Sequence, residues 1–142
     1  RLNRSGGLLN SVVLDQVDGQ RWDCLYWATW AWSRWVYARG LVAMEIDHEV
    51  IQSMAVRVKE LAPEDRKVEA IGLQGLALSL SPETRAAAER SLKQVVALSP
   101  EDRTWMVDLA EYVLLPKGHQ TETRNLLHIV IQANSEPLHS CC

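Results

Sequence analysis

Five of the six tryptophans in this 142-residue chain fall between Trp22 and Trp35, and they do not share a side. At about 100° per residue, Trp22, Trp27, Trp30, Trp32 and Trp35 project at roughly 0°, 140°, 80°, 280° and 220°. Leu25 and Val36 fill the arc near 300–320°, and Tyr26 and Tyr37 lie near 40–60°. Asp23 and Arg34, at roughly 100–120°, form a narrow charged stripe. A helix that is apolar all round is normally surrounded, by its own domain or by a partner. This segment therefore defines both the expected architecture and the expected contact site.

The spacing predicts a helix from about Arg21 to Ala38, ended at Arg39-Gly40. Two arrangements fit its aromatic ring. The indoles are the domain core, wrapped by the other helices, or part of the ring is exposed and forms a contact surface, since Trp and Tyr are enriched in interface hot spots.

Downstream the pattern is conventional. Asp47 suits an N-cap, and Val50, Ile51, Met54, Ala55, Val58 and Leu61 make an i, i+3, i+4 stripe over a helix running to Leu61. A recurring segment then appears as Leu61-Ala62-Pro63-Glu64-Asp65-Arg66, Leu80-Ser81-Pro82-Glu83-Thr84-Arg85 and Leu98-Ser99-Pro100-Glu101-Asp102-Arg103. Each reads as a helix start. Ser81 and Ser99 are expected to cap, proline suits the first helical position, and the acids face the positive end of the helix dipole. Each leading Leu is expected to staple the turn to its helix. The residues between these starts do not repeat, so a re-used cap within a bundle explains them better than a helical-repeat array.

Gly72 and Gly75 lie on one helical face, where each costs about 1 kcal/mol against Ala. Close approach of the neighbouring indoles is the expected compensation. A fifth helix is predicted over Pro100–Leu114, with Met106, Leu109, Ala110 and Val113 inward. A sixth begins near Thr121 and is expected to bury Leu126, Leu127, Ile129, Val130 and Ile131. The fold class is thus all-α: a compact bundle of five to six short helices with a Trp-rich central helix. Residues 1–20 are expected to hold a flexible arm and short helix, 21–133 a single helical domain, and 134–142 a disordered tail.

The formal charge of −3 and scattered basic residues argue against a nucleic-acid surface. The uncharged run from Cys24 to Ser33 is about half of a bilayer span, so no transmembrane segment is expected. No secretory leader is visible, and three cysteines make no disulfide framework; a reducing, cytoplasmic setting follows. Catalytic signatures such as Gly-rich phosphate loops, His-Glu-x-x-His, Gly-x-Ser-x-Gly or paired CxxC are missing. Cys24 inside the Trp helix is expected to be an inert, packed thiol. His128, His139, Cys141 and Cys142 offer zinc donor types, but adjacent cysteines chelate poorly. Glu101, Asp102, Asp108 and Glu111 read as solvated or first-turn acids. No cofactor or metal is expected.

A local stretch, Leu114-Leu115-Pro116-Lys117-Gly118 and, after seven intervening residues, Leu126-Leu127-His128-Ile129-Val130-Ile131-Gln132, resembles the penultimate turn and last helix of deltaretroviral matrix proteins. It covers about 19 residues, and the chain lacks that family's N-terminal Met-Gly and basic face. The resemblance implies a helical structural protein that assembles under a membrane.

The sequence reading is a non-enzymatic interaction or regulatory module, its partner another protein or a second copy of itself. The candidate contact residues are Trp27, Trp30, Arg34 and Asp23. Trp30→Ala is expected to weaken partner binding or oligomerisation while leaving helicity intact.

Overall fold

The computed structural model describes residues 13–135, so 1–12 of the arm and short helix expected over 1–20, and 136–142 of the tail expected from 134, lie outside the described residues. Within these bounds the chain is all-helical with no strand. The labelled helices are α1 (Trp22–Arg39), α2 (Leu41–Leu61), α3 (Lys67–Leu78), α4 (Arg85–Leu98), α5 (Arg103–Leu109) and α6 (Gln120–Ser135). With the helical residues 13–15 there are seven, slightly more than the five to six expected. The last helix runs one turn or less into the segment expected to be tail.

α1 and α2 form an antiparallel pair joined through Gly40 alone, whose φ of 99° and ψ of −172° place it where only glycine is at ease. The pairing is fixed at both ends. The Trp22 indole N–H donates to the Val58 carbonyl at 2.8 Å, and the Trp32 indole N–H donates to the Asp47 carboxylate at 3.1 Å. Asp47 is therefore not an N-cap. α2 begins six residues earlier, at Leu41, because a single left-handed glycine reverses the chain without a loop.

Each proline segment opens a helix, but not through serine. Pro63 and Pro82 lead into 3-10 turns, Glu64–Arg66 and Pro82–Thr84, and the α-helices start after them. In those turns the backbone carbonyls of Pro63 and Ser81 take the bonds, from the N–H groups of Arg66 and Thr84. The Ser81 side chain makes no cap bond. The Ser99 hydroxyl instead donates to Glu101 at 2.8 Å, and Asp102 caps α5 by accepting from the Thr104 N–H at 3.0 Å. The leading leucines also differ: Leu61 packs on the core and Leu80 is buried, whereas Leu98 is exposed.

α3 is the spine against which α2 and α4 pack. Its two glycines allow this. A Cβ at Gly75 would lie 2.8 Å from Leu92 Cγ of α4, and one at Gly72 would lie 2.6 Å from the ring of Trp105 in α5. The indole that covers Gly72 is thus not one of the five neighbours in α1 but the sixth tryptophan. Met106, Leu109, Ala110 and Val113 are buried as expected. The predicted fifth helix, however, begins at Arg103 and changes after Leu109 into a π turn over Ala110–Leu114, closed by the Leu115 N–H to the Ala110 carbonyl at 2.9 Å.

α6 corrects another expectation. Its inward line is Thr123, Leu126 and Val130, an i, i+3, i+7 row. Leu127, Ile129 and Ile131 fall off that row and are exposed. α6 packs chiefly against α5 and the π turn, with Leu126 and Glu122 reaching α4, and among the described residues its other side is exposed. Among the described residues no helix is long and apolar enough to cross a membrane.

Candidate functional site

α1 is shielded on one side only. Trp22, Leu25, Tyr26, Thr29, Ser33 and Val36 are buried, a run centred near 350° on the helical wheel. The Thr29 and Ser33 hydroxyls donate to the carbonyls one turn back, each at 2.7 Å, which lets two polar side chains sit dry in the core. The opposite side carries Cys24, Trp27, Ala28, Ala31, Trp35 and Ala38, all exposed. Trp27 and Trp35 each keep 54 % of their surface in contact with solvent. Shielding all round, the condition set by the aromatic pattern, is not met among the described residues. Cys24 is likewise exposed rather than packed.

The four sequence-predicted site residues have different fates. Asp23 is exposed, one turn before Trp27. Trp27 and Trp30 meet edge to face with centroids 5.8 Å apart, and the Trp27 ring meets Tyr26 the same way at 5.1 Å. Trp30 is half-buried and packs on the core, so its replacement would disturb packing as well as any contact. Arg34 turns away from the aspartate beside it on the wheel. Its guanidinium donates to both carboxylate oxygens of Asp108, at 2.9 and 3.0 Å, and to the Tyr112 hydroxyl at 3.0 Å. The same guanidinium lies 4.7 Å from the centroid of Trp30, a cation–π contact.

This bidentate pair ties α1 to α5. Asp108 is 1 % exposed, not the solvated acid expected. Burial pushes its carboxyl up to about 6, with the Arg34 guanidinium opposing that rise. Burial also works against the charge of Arg34, but Asp108 and Tyr112 outweigh it and hold the guanidinium above its ordinary value. The Tyr112 hydroxyl is raised by burial. Tyr112 also stacks on Tyr37 at 3.9 Å between centroids, and the Tyr37 hydroxyl donates to Ser79. The network engages both terminal nitrogens of Arg34, leaves its buried Nε without a hydrogen-bond partner, and fixes Trp30 through the cation–π contact.

The chain matches no family model, no curated protein and no solved structure.

Beside the Trp27–Trp30 pair, α1, the start of α3 and the start of α5 enclose a groove of about 390 Å³. Tyr26, Trp27, Trp30 and Trp105 supply its aromatic walls, and Glu69 and Asp102 its carboxylates. Arg66 lies at its edge, 5.1 Å from the centroid of Trp22 and 3.7 Å from Glu69. The sequence offered a signal for Asp108, which stands three residues after Trp105 and four before Tyr112, on the inward row. It offered none for the groove, whose parts come from three separate elements. His139, Cys141 and Cys142, the remaining zinc-type donors, lie outside the described residues.

Proposed function

We propose that this chain is a non-enzymatic helical interaction module that self-associates through the outer side of α1. The supporting observation is the exposed row of Cys24, Trp27, Ala28, Ala31, Trp35 and Ala38, in which two half-exposed indoles alternate with small residues. Large aromatic area left in water on a rigid helix is a feature of contact surfaces.

The row is self-complementary. In an antiparallel two-fold pair centred on Ala31, knobs-into-holes packing sets Trp35 of one copy between Cys24, Trp27, Ala28 and Ala31 of the other. The same operation sets Trp27 between Ala31, Arg34, Trp35 and Ala38. Small residues leave room for both indoles. Antiparallel helices also oppose their dipoles and bring the Asp23 end of one copy level with the Arg39 end of the other. A two-fold contact of this kind is the commonest way for a chain to pair with itself.

Sedimentation velocity over a wide concentration range tests the reading. The expected result is a concentration-dependent monomer–dimer equilibrium, abolished by Trp27→Ala with Trp35→Ala while helicity and melting are retained. A chain that stays monomeric throughout, or a dimer indifferent to that double variant, overturns it.

A second reading rests on the stretch that resembles matrix proteins. There Leu127 and Ile131 form an exposed edge of α6 beside Arg124 and His128. An assembly protein working at a membrane is expected to float with anionic vesicles at low salt and to lose this with Leu127→Asp.

A further inference from the structure

The groove beside Trp27 and Trp30 has the chemistry of a cation site. Aromatic faces attract organic cations through their quadrupole, by about 0.5–1 kcal/mol each in exposed settings and more when water is excluded. One groove ring is already used in this way, since Arg34 lies over Trp30; Arg66 lies over Trp22, which is not part of the groove wall. Of the three charged groups at the groove, two are carboxylates. Arg66 is held by the Trp22 ring and by a loose contact with Glu69 at 3.7 Å. Asp102 gives one oxygen to the Thr104 N–H, and its second oxygen has no hydrogen-bond partner among the described residues.

Tyr26 adds one polar atom to the groove wall. The residue is 5 % exposed, but its hydroxyl oxygen is not shut off from solvent and has no hydrogen-bond partner among the described residues, so it is open to a ligand. Burial, together with the negative charge of Glu69, raises this hydroxyl to about 12, so it stays neutral; it can accept from the N–H of a primary ammonium, whereas a quaternary one meets it only through its methyl groups.

We propose that the groove bounded by Tyr26, Trp27, Trp30, Glu69 and Asp102 binds an organic ammonium group, the size of choline or of a lysine head group. The rings cover its alkyl surface while the carboxylates neutralise its charge. This goes beyond self-association and does not depend on it, because the groove is complete within one chain.

The test is carried out on the full chain at a concentration where it is monomeric, with indole N–H signals followed by NMR at constant ionic strength. Choline is compared with 3,3-dimethyl-1-butanol, its neutral counterpart, and N-acetyl-lysine methylamide with its trimethylated form. The expected result is a saturable shift of the Trp27 and Trp30 signals with choline, at least tenfold weaker with the neutral alcohol. Preference between choline and the two lysine compounds separates a free small molecule from a protein side chain as the source of the group. Glu69→Gln with Asp102→Asn is expected to weaken binding by roughly tenfold. Asparagine keeps the α5 cap, so the fold is retained. If that pair nevertheless unfolds, Trp27→Leu is the replacement, since this groove wall is half-exposed, with choline binding several-fold weaker. Equal response to choline and the alcohol, no saturation with any cation, or undiminished binding in folded variants overturns the proposal.

Discussion

Trp105 lies flat against the bare Cα of Gly72, so close that a methyl group there would stand 2.6 Å from the ring. Helix propensity alone predicts that Gly72→Ala stabilises α3 by about 1 kcal/mol. The packing predicts the reverse. Trp105 is 3 % exposed and packs against α4 and the π turn, so moving it off Gly72 breaks those contacts. Gly72→Ala is expected to cost about 1–3 kcal/mol, the usual range for an overpacked core. Urea unfolding measures it. In a Trp105→Leu background the same change is expected to cost at least about 1 kcal/mol less, because contacting residues couple.

This contact also shows what was legible beforehand. The glycine pair in α3 announced a close approach, and its spacing was enough to say so. Which side chain approached was not legible, since Trp105 and the α1 indoles stand at similar distances along the chain from Gly72, and Trp105 reaches it only through the turn between α4 and α5. The helices themselves followed from apolar periodicity. Their starts were misplaced where a backbone device did the work expected of a side chain: Gly40 in place of the Asp47 cap, and 3-10 turns in place of the Ser81 cap. α1 misled for a different reason. Its aromatic ring hid a core face whose members include Thr29 and Ser33, polar residues that satisfy themselves within the helix and so leave no apolar stripe to count.

The Arg34–Asp108 pair predicts an unequal response to its two partners. Removing one member of a buried pair costs about 3–5 kcal/mol, and Arg34, one quarter exposed, sits at the lower end because water reaches it. Arg34→Lys keeps the charge but loses the fork that meets both oxygens and the Tyr112 hydroxyl. It is expected to recover less than half of the loss caused by Arg34→Met, as read from chemical denaturation.

Asp108 also predicts a direction with pH. Its folded-state value, about 6, lies above the ordinary 3.8, so between those values the folded chain holds the proton more tightly than the unfolded one. Its contribution is therefore fully present below pH 4 and falls as pH rises through 6. The stability difference between the wild type and Asp108→Asn is expected to shift against the wild type over that interval, by on the order of 2 kcal/mol. A flat difference from pH 4 to 7 contradicts the assignment.

Glu89 has the opposite sign. Its hydrogen bonds from Lys117 and then Lys93 hold it down to about 2. Lys93 also reaches Glu122 at 3.2 Å, so the cluster joins α4 to α6. This contribution is present above the unfolded value near 4.5 and lost as pH falls towards 2. Because both lysines are substantially exposed, Glu89→Gln is expected to cost no more than about 1 kcal/mol at pH 7. The cost should shrink in high salt and vanish near pH 2, which thermal melts at matched ionic strengths will show.

Gly40 sets the geometry on which the candidate surface depends, because the reversal there aligns Trp22 with Val58 and Trp32 with Asp47. Nothing lies within 4 Å of where its Cβ would be, so a substitution meets no steric contact and its whole effect is on the backbone. At φ 99° and ψ −172° an L-residue is strained, by about 1–3 kcal/mol. Gly40→Ala is expected to lower stability by that amount. D-alanine at the same position, introduced by chemical ligation, should behave in the opposite way. Its mirror-image preference makes φ 99° an ordinary extended conformation. The smaller freedom of its unfolded chain is then expected to raise stability by about 0.4–1 kcal/mol. Equal losses from the two enantiomers would mean that the space at Gly40, not its handedness, is what the junction requires.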